Sequence, residues 1–94
     1  MSSYIVVESN VLNADKLAQY GRLAAPTVAE YGGKFLARGA VQVLHGERLF
    51  ANKAIIEFPS EKQALDWYRS EMYQALAGLR DQAMDSRFQL VAGV

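Results

Sequence analysis

Apolar and polar residues change period several times along the chain, and each change marks an element. Tyr4-Ile5-Val6-Val7-Glu8 is a β-branched and aromatic run, the composition of a strand. It does not alternate cleanly, so apolar side chains point to both faces. The period then lengthens: Leu17, Tyr20, Ala24, Val28 and Tyr31 recur at helical spacing, while Asp15, Lys16, Gln19, Arg22 and Glu30 fall largely elsewhere. Asn13 is the N-cap candidate, with Lys16 where a capping box would carry Glu or Gln. Pro26 lacks a backbone donor and predicts a kink near Arg22–Ala25. Gly32-Gly33 ends the helix, because glycine adopts the left-handed cap conformation without strain.

Lys34-Phe35-Leu36-Ala37-Arg38 reads as a second strand, with Gly39 a candidate bulge and Val41–His45 its continuation. Gly46–Asn52 is a loop with Leu49 and Phe50 at an apolar tip. Lys53-Ala54-Ile55-Ile56-Glu57-Phe58 is a third strand, again apolar on both faces, and Pro59 stops it. Ser60 caps a helix containing Ala64, Leu65, Trp67 and Tyr68, with Glu61 placed at the positive end of its dipole. Ser70 caps a further helix through Met72, Tyr73, Leu76, Leu79, Arg80, Ala83 and Met84. Arg87–Val91 is the last strand.

This order of strand, helix, strand, strand, two-part helix, strand predicts an α+β fold of the ferredoxin-like βαββαβ type. Four antiparallel strands then carry the helices on one face. A sheet whose other face met water would alternate apolar with polar, and Tyr4–Val7 and Ala54–Phe58 do not. The chain has no spare element to cover that face. A second copy, packed face to face about a two-fold axis, is the expected cover, which makes the protein a homodimer through its open sheet face.

Composition supports this. Residues 1–94 leave room for a single domain, and a domain of this size buries about 60–65% of its unfolded surface. There is no cysteine to staple it, and 51% of the residues are hydrophobic; such chains often gain core by self-association. Ten basic residues balance ten acidic ones, without the clustered positive footprint of a nucleic-acid binder. No apolar stretch has the length of a membrane span, and the N-terminus lacks the basic and apolar regions of a signal peptide, so no membrane association and a cytoplasmic location are expected.

The residues Phe58-Pro59-Ser60, Ala64, Trp67-Tyr68, Ser70, Tyr73 and Arg80, with Pro26-Thr27, Gly33 and Arg38-Gly39 before them, resemble the family called domain of unknown function 1330. The resemblance runs from Tyr4 to Val94; Ala40 stands where that family usually carries a further glycine. It implies a place in the dimeric α+β-barrel superfamily and a homodimeric barrel. The superfamily includes cofactor-free monooxygenases, haem-degrading enzymes, lactone isomerases and dye peroxidases, so the fold names no reaction.

Candidate chemistry rests on few residues. Arg38 follows an apolar strand and precedes a glycine, so it is expected partly buried. It then either pairs with Glu57 or Glu8, or anchors a carboxylate or carbonyl of a ligand. Tyr20, on the inner stripe of the first helix, and Tyr73 are candidate hydrogen-bond donors. The single histidine, His45, is a candidate proton-transfer group or an exposed turn residue. Trp67 and Tyr68 are adjacent and cannot share a helix face, so one looks inward and the other toward solvent or a partner. Trp67, Tyr73 and Arg80 are candidate ligand-binding residues; the alternatives are core packing for the aromatics and a pair with Asp66 for Arg80. Arg87 reads as a solvated strand end. Neither metal-ligand spacing, a nucleotide fingerprint nor a nucleophile elbow is present. A haem ligand at His45 is disfavoured, and no cofactor is expected. Two functions follow: a cofactor-independent enzyme acting on a small carboxylate, aromatic or lactone substrate, with Arg38, Tyr20 and His45 catalytic; or a non-catalytic ligand-binding or accessory dimer.

Overall fold

A computed structural model describes every residue from Met1 to Val94. The elements are β1 (Ser3–Val11), α1 (Ala14–Glu30), β2 (Lys34–Ala40), β3 (Asn52–Phe58), α2 (Glu61–Arg69), α3 (Glu71–Gln74), α4 (Ala77–Ala83) and β4 (Met84–Ala92). The sheet order is β2-β3-β1-β4, with every neighbouring pair antiparallel. This is the ferredoxin-like arrangement expected from the sequence.

Local chemistry places the boundaries. The Asn13 side chain accepts from the Lys16 N–H, Ser60 from that of Gln63 and Ser70 from that of Tyr73, so all three N-caps form as predicted. Gly32 closes α1 at φ +77, and the Gly33 N–H returns to the Val28 carbonyl at 2.9 Å. The helix runs unbroken through Pro26. Arg22, whose carbonyl a residue-26 N–H would have met, is exposed along with Pro26, which leaves that carbonyl access to water.

Three sequence expectations fail here. Val41–His45 is not a strand: Ala40 pairs with Asn52, the first residue of β3, so residues beyond it have no ladder to join. Val41 N–H instead bonds Ala51 O at 2.9 Å and closes a loop. The bulge falls between Phe35 and Ala37 rather than at Gly39. The helix expected through Met84 breaks at Ala75–Leu76, and Met84 already belongs to β4, paired with Val11.

Register decides what each sheet face carries. Ile5, Val7, Ile56 and Phe58 turn toward the helices and are buried with Tyr20, Val28, Trp67 and Tyr73. The opposite face carries Tyr4 beside Glu57 and Val91, Val6 beside Ile55 and Gln89, and Glu8 beside Lys53 and Arg87. Val6 and Ile55 make its centre apolar beside Gln89, and its charged groups pair. Arg87 grips Glu8 Oε1 through Nε and Nη2 at 3.0 and 2.8 Å and lies 5.1 Å from the Phe50 ring centre; it is exposed as expected, but it is paired and lies inside β4 rather than at its start. Tyr4 donates to Glu57 at 3.2 Å, and Lys34 reaches the same carboxylate at 3.4 Å. No layer covers this face, and the Cα envelope of 31 × 31 × 16 Å is that of a two-layer slab.

Candidate functional site

A cleft of about 770 Å³ lies between α1 and the β2–β3 side of the sheet. Its floor is Val7, Ala54 and Ile56, with Trp67 and Phe88 on the inner wall and Phe35 toward the edge strand. Its roof is α1. Ala14, Ala18, Gly21 and Ala25 line it there, at spacings that share one helical stripe. Small side chains on that stripe leave the space between helix and sheet unfilled. The bulky Tyr20 and Val28 lie beside the stripe and join the core, as does the small Ala24.

Arg38 projects from β2 on the helix face, since its ladder partner is Ala54, and it lines the cleft. It is exposed, not partly buried, because β2 is an edge strand that the helices do not cover. The sequence-based pairs do not form: Glu57 is taken by Lys34, and Glu8 by Arg87 and Lys53. The Arg38 guanidinium lies 5.5 Å from the centre of the Phe35 ring instead. Arg22, exposed on α1, is a second lining cation without a carboxylate partner. Lys53 also lines the cleft, but its ammonium is drawn toward Glu8 at 3.9 Å. No Asp, Glu or His is among the lining residues.

Behind the inner wall lies a buried polar network. The hydroxyls of Tyr20 and Tyr73 are 2.7 Å apart, joining α1 to α3 across the core. Arg80, whose side chain is only 13% exposed, donates from Nη1 to Tyr68 at 3.3 Å and to Tyr73 at 3.4 Å. Its Nε donates to Asp81 at 3.0 Å, whereas Asp66 is held by Lys62; the pair with Asp66 expected from the sequence is therefore absent. The guanidinium also lies 5.2 Å from the Phe88 ring centre. Trp67 is fully inward, its Nε1–H donating to Thr27 Oγ1 at 3.0 Å. Tyr68 is half-buried against Trp67, Tyr73 and Phe88 rather than turned to water.

Electrostatics follow from this packing. Burial pushes the Tyr20 phenol far above its usual range, and the neighbouring Tyr73 adds to the shift. Tyr73 is also raised by burial, tempered by Tyr20 and Arg80, either of which could donate to its phenolate. For Arg80 burial opposes the charge, but hydrogen bonds to Tyr73, Asp81 and Tyr68 outweigh it and raise its pKa. Both phenols are therefore neutral at physiological pH, and neither serves as a base there.

The six sequence candidates thus divide. Tyr20, Trp67 and Arg38 line the cleft. Tyr73 and Arg80 stand behind Tyr20. His45 is elsewhere: it lines a separate hollow of about 390 Å³ with Val43, Leu49, Glu8 and Lys53, reached from the loop after β2. Proton transfer by His45 to anything bound beside Arg38 and Tyr20 is not built into this arrangement. Sequence reasoning missed Arg22, Phe35 and Phe88. The small-residue stripe of α1 was the available signal for the first of these, since Arg22 flanks Gly21 on it.

No helix is long and apolar enough to cross a membrane, and no group of three or more His, Cys, Asp or Glu could hold a metal ion. Among solved structures, the chain is similar to a protein of unknown function from Rhodopseudomonas palustris, at 22% identity and TM-score 0.79, covering 99% of this chain and 82% of that one. A dimeric ferredoxin-like protein of unknown function from Jannaschia sp. CCS1 matches at 10% identity and TM-score 0.77, covering 99% and 100%. SnoaB, a cofactor-independent oxygenase from Streptomyces nogalater, matches at 12% identity and TM-score 0.72, covering 99% and 93%. These likenesses establish the fold alone. No curated protein matches the sequence. The model of the family described as Domain of unknown function (DUF1330) matches residues 2–94, and the chain belongs to that family.

Proposed function

We propose that the chain works as a homodimer whose clefts each bind a small organic anion with an aromatic or otherwise apolar body. The observation that carries the reading is the cleft lining. It is mostly hydrophobic, with 15 such residues among 22, and it holds the unpaired guanidiniums of Arg22 and Arg38 with no carboxylate. An apolar body gains from leaving water, and an arginine recognises a carboxylate with two parallel hydrogen bonds. Homodimerisation is supported by the uncovered apolar centre of the outer sheet face. It is supported too by an accessible surface of 6016 Å², against about 5,400 Å² for a folded monomer of this mass.

The test uses naphthoate, with naphthylmethylammonium as its cationic counterpart, followed by ligand fluorescence. Wild type binds the anion more tightly, and Arg38→Ala weakens it about tenfold, about 1.4 kcal/mol, at unchanged circular dichroism. Equal affinity for the two ions, or an unaffected Arg38→Ala variant, refutes the reading. Light scattering on the same samples tests the dimer; a monomer at micromolar concentration removes that part.

A second reading, cofactor-independent catalysis, is favoured by Tyr20, a phenol among the residues that line the cleft. A hydrogen bond to a carbonyl oxygen in apolar surroundings stabilises the corresponding enolate. With no side-chain base in the cleft, water would take the proton from carbon. Acetylnaphthoate in deuterium oxide reports this: faster exchange of its methyl protons with wild type than with Tyr20→Phe supports catalysis, and equal rates leave a binding protein.

A further inference from the structure

The proton order of the buried network says more about the ligand than the cleft shape does. Arginine carries donors only, so Arg80 Nη1 donates to the Tyr73 oxygen. Tyr73 is fully buried and does not line the cleft. Its hydroxyl has two neighbours within hydrogen-bond reach, Arg80 Nη1 and the Tyr20 oxygen. Arg80 cannot accept the Tyr73 proton, so that proton goes to Tyr20. The reverse order would leave a hydroxyl proton in the closed core without an acceptor, and buried polar groups are rarely left so. Tyr20 therefore accepts from Tyr73, and no protein atom remains to take the Tyr20 proton. Tyr20 lines the cleft.

We infer that Tyr20 presents its O–H into the cleft as a fixed hydrogen-bond donor, ordered by Arg80 through Tyr73. The ligand then carries an acceptor oxygen, a ketone or phenolate oxygen, seated deeper than its anionic group. This rests on the cleft reading above and narrows it: the anion meets exposed Arg38 near the mouth, and the second oxygen meets buried Tyr20. A charged donor at the head of the series polarises each following hydroxyl and strengthens the last one. Edge-to-face packing of the two tyrosine rings, 6.5 Å between centroids at 75°, fixes their orientation. Burial keeps Tyr20 protonated, so it donates rather than acts as a base. Arg80 does not line the cleft; it and Tyr73 are positioning residues.

The experiment compares two naphthoates that differ only at the end opposite the carboxylate, one carrying an acetyl group and one an isopropyl group of nearly the same shape. Wild type prefers the acetyl form about tenfold. Tyr20→Phe abolishes the preference. Arg80→Met frees the tyrosine pair to reverse its protons and cuts the preference to about threefold or less, while Arg80→Lys, again a donor without acceptor capacity, retains it. If Arg80→Met does not fold, Arg80→Gln, which both donates and accepts, takes its place with an intermediate preference expected. A full preference in folded Tyr20→Phe, or one indifferent to Arg80→Met or Arg80→Gln, overturns the inference. So does wild-type binding of both probes without preference, and that result leaves the cleft reading standing. Failure of wild type to bind either probe overturns both.

Discussion

The Tyr20–Tyr73 pair makes a prediction about stability in which two chemically identical deletions differ. Tyr20→Phe removes the only acceptor for the Tyr73 proton in a part of the core closed to water. Stranding a buried donor costs about 1–3 kcal/mol. Tyr73→Phe strands nothing of that kind. Tyr20 keeps its proton directed at the cleft, where water can supply the lost partner, and Arg80 Nη1 keeps Tyr68 at 3.3 Å. Loss of one ordinary hydrogen bond costs about 0.5–1.5 kcal/mol. In the double variant both hydroxyls are gone and no donor is stranded, so it costs less than the sum of the single changes. For a domain of this size 1 kcal/mol corresponds to about 4–8 °C in Tm. Urea unfolding followed by far-ultraviolet circular dichroism completes the cycle, at one fixed protein concentration because a dimer's stability depends on it. A Tyr73→Phe variant as unstable as Tyr20→Phe, or strictly additive costs, would refute the assigned proton order.

Two other perturbations follow from packing and linkage. Gly33→Ala places a Cβ 2.6 Å from the Phe58 ring and 2.7 Å from Val28 Cγ1; overpacking of this kind costs about 1–3 kcal/mol, read as a lowered urea midpoint, and an unchanged midpoint would show that the Phe58 ring can move aside. Folding raises the Tyr20 and Tyr73 pKa values, so their contribution is complete below the ordinary phenol value of about 10 and is lost as pH rises above it, because the unfolded chain then gives up those protons first; stability measured from pH 9 to 11 should fall, and fall less steeply in Tyr20→Phe.

Much of the fold was legible because its signals are local. Asn13, Ser60 and Ser70 cap helices through their own side chains, and Gly32 stops α1 by its own backbone freedom. The missed features depend on partners. Val41–His45 has strand composition, but a strand needs a neighbour, and β3 begins too late in the chain to supply one. Met84 continues a helical pattern, yet pairing with Val11 claims it for the sheet. Arg38 looked partly buried from its apolar neighbours, but exposure depends on which strands the helices cover, and β2 is at the edge.

The candidate site divides in the same way. Residue types and helical spacing marked Tyr20, Trp67, Tyr73, Arg80 and Arg38 without a structure. Distance could not be read: Tyr20 and Tyr73 are 53 positions apart in sequence and 2.7 Å apart in the fold, and nothing in the local pattern of either names the other. His45 shows the converse, a reactive residue type that folding places in a different hollow.

The sequence by itself determined the element order, the helix caps and two apolar sheet faces, because periodicity, capping and turn chemistry act over a few residues. The tertiary structure alone decided that small residues on α1 leave a cleft, that Arg38 stands there unpaired, and that Arg80 aligns two buried hydroxyls. Those outcomes depend on strand register and helix docking, which bring together groups from distant parts of the chain.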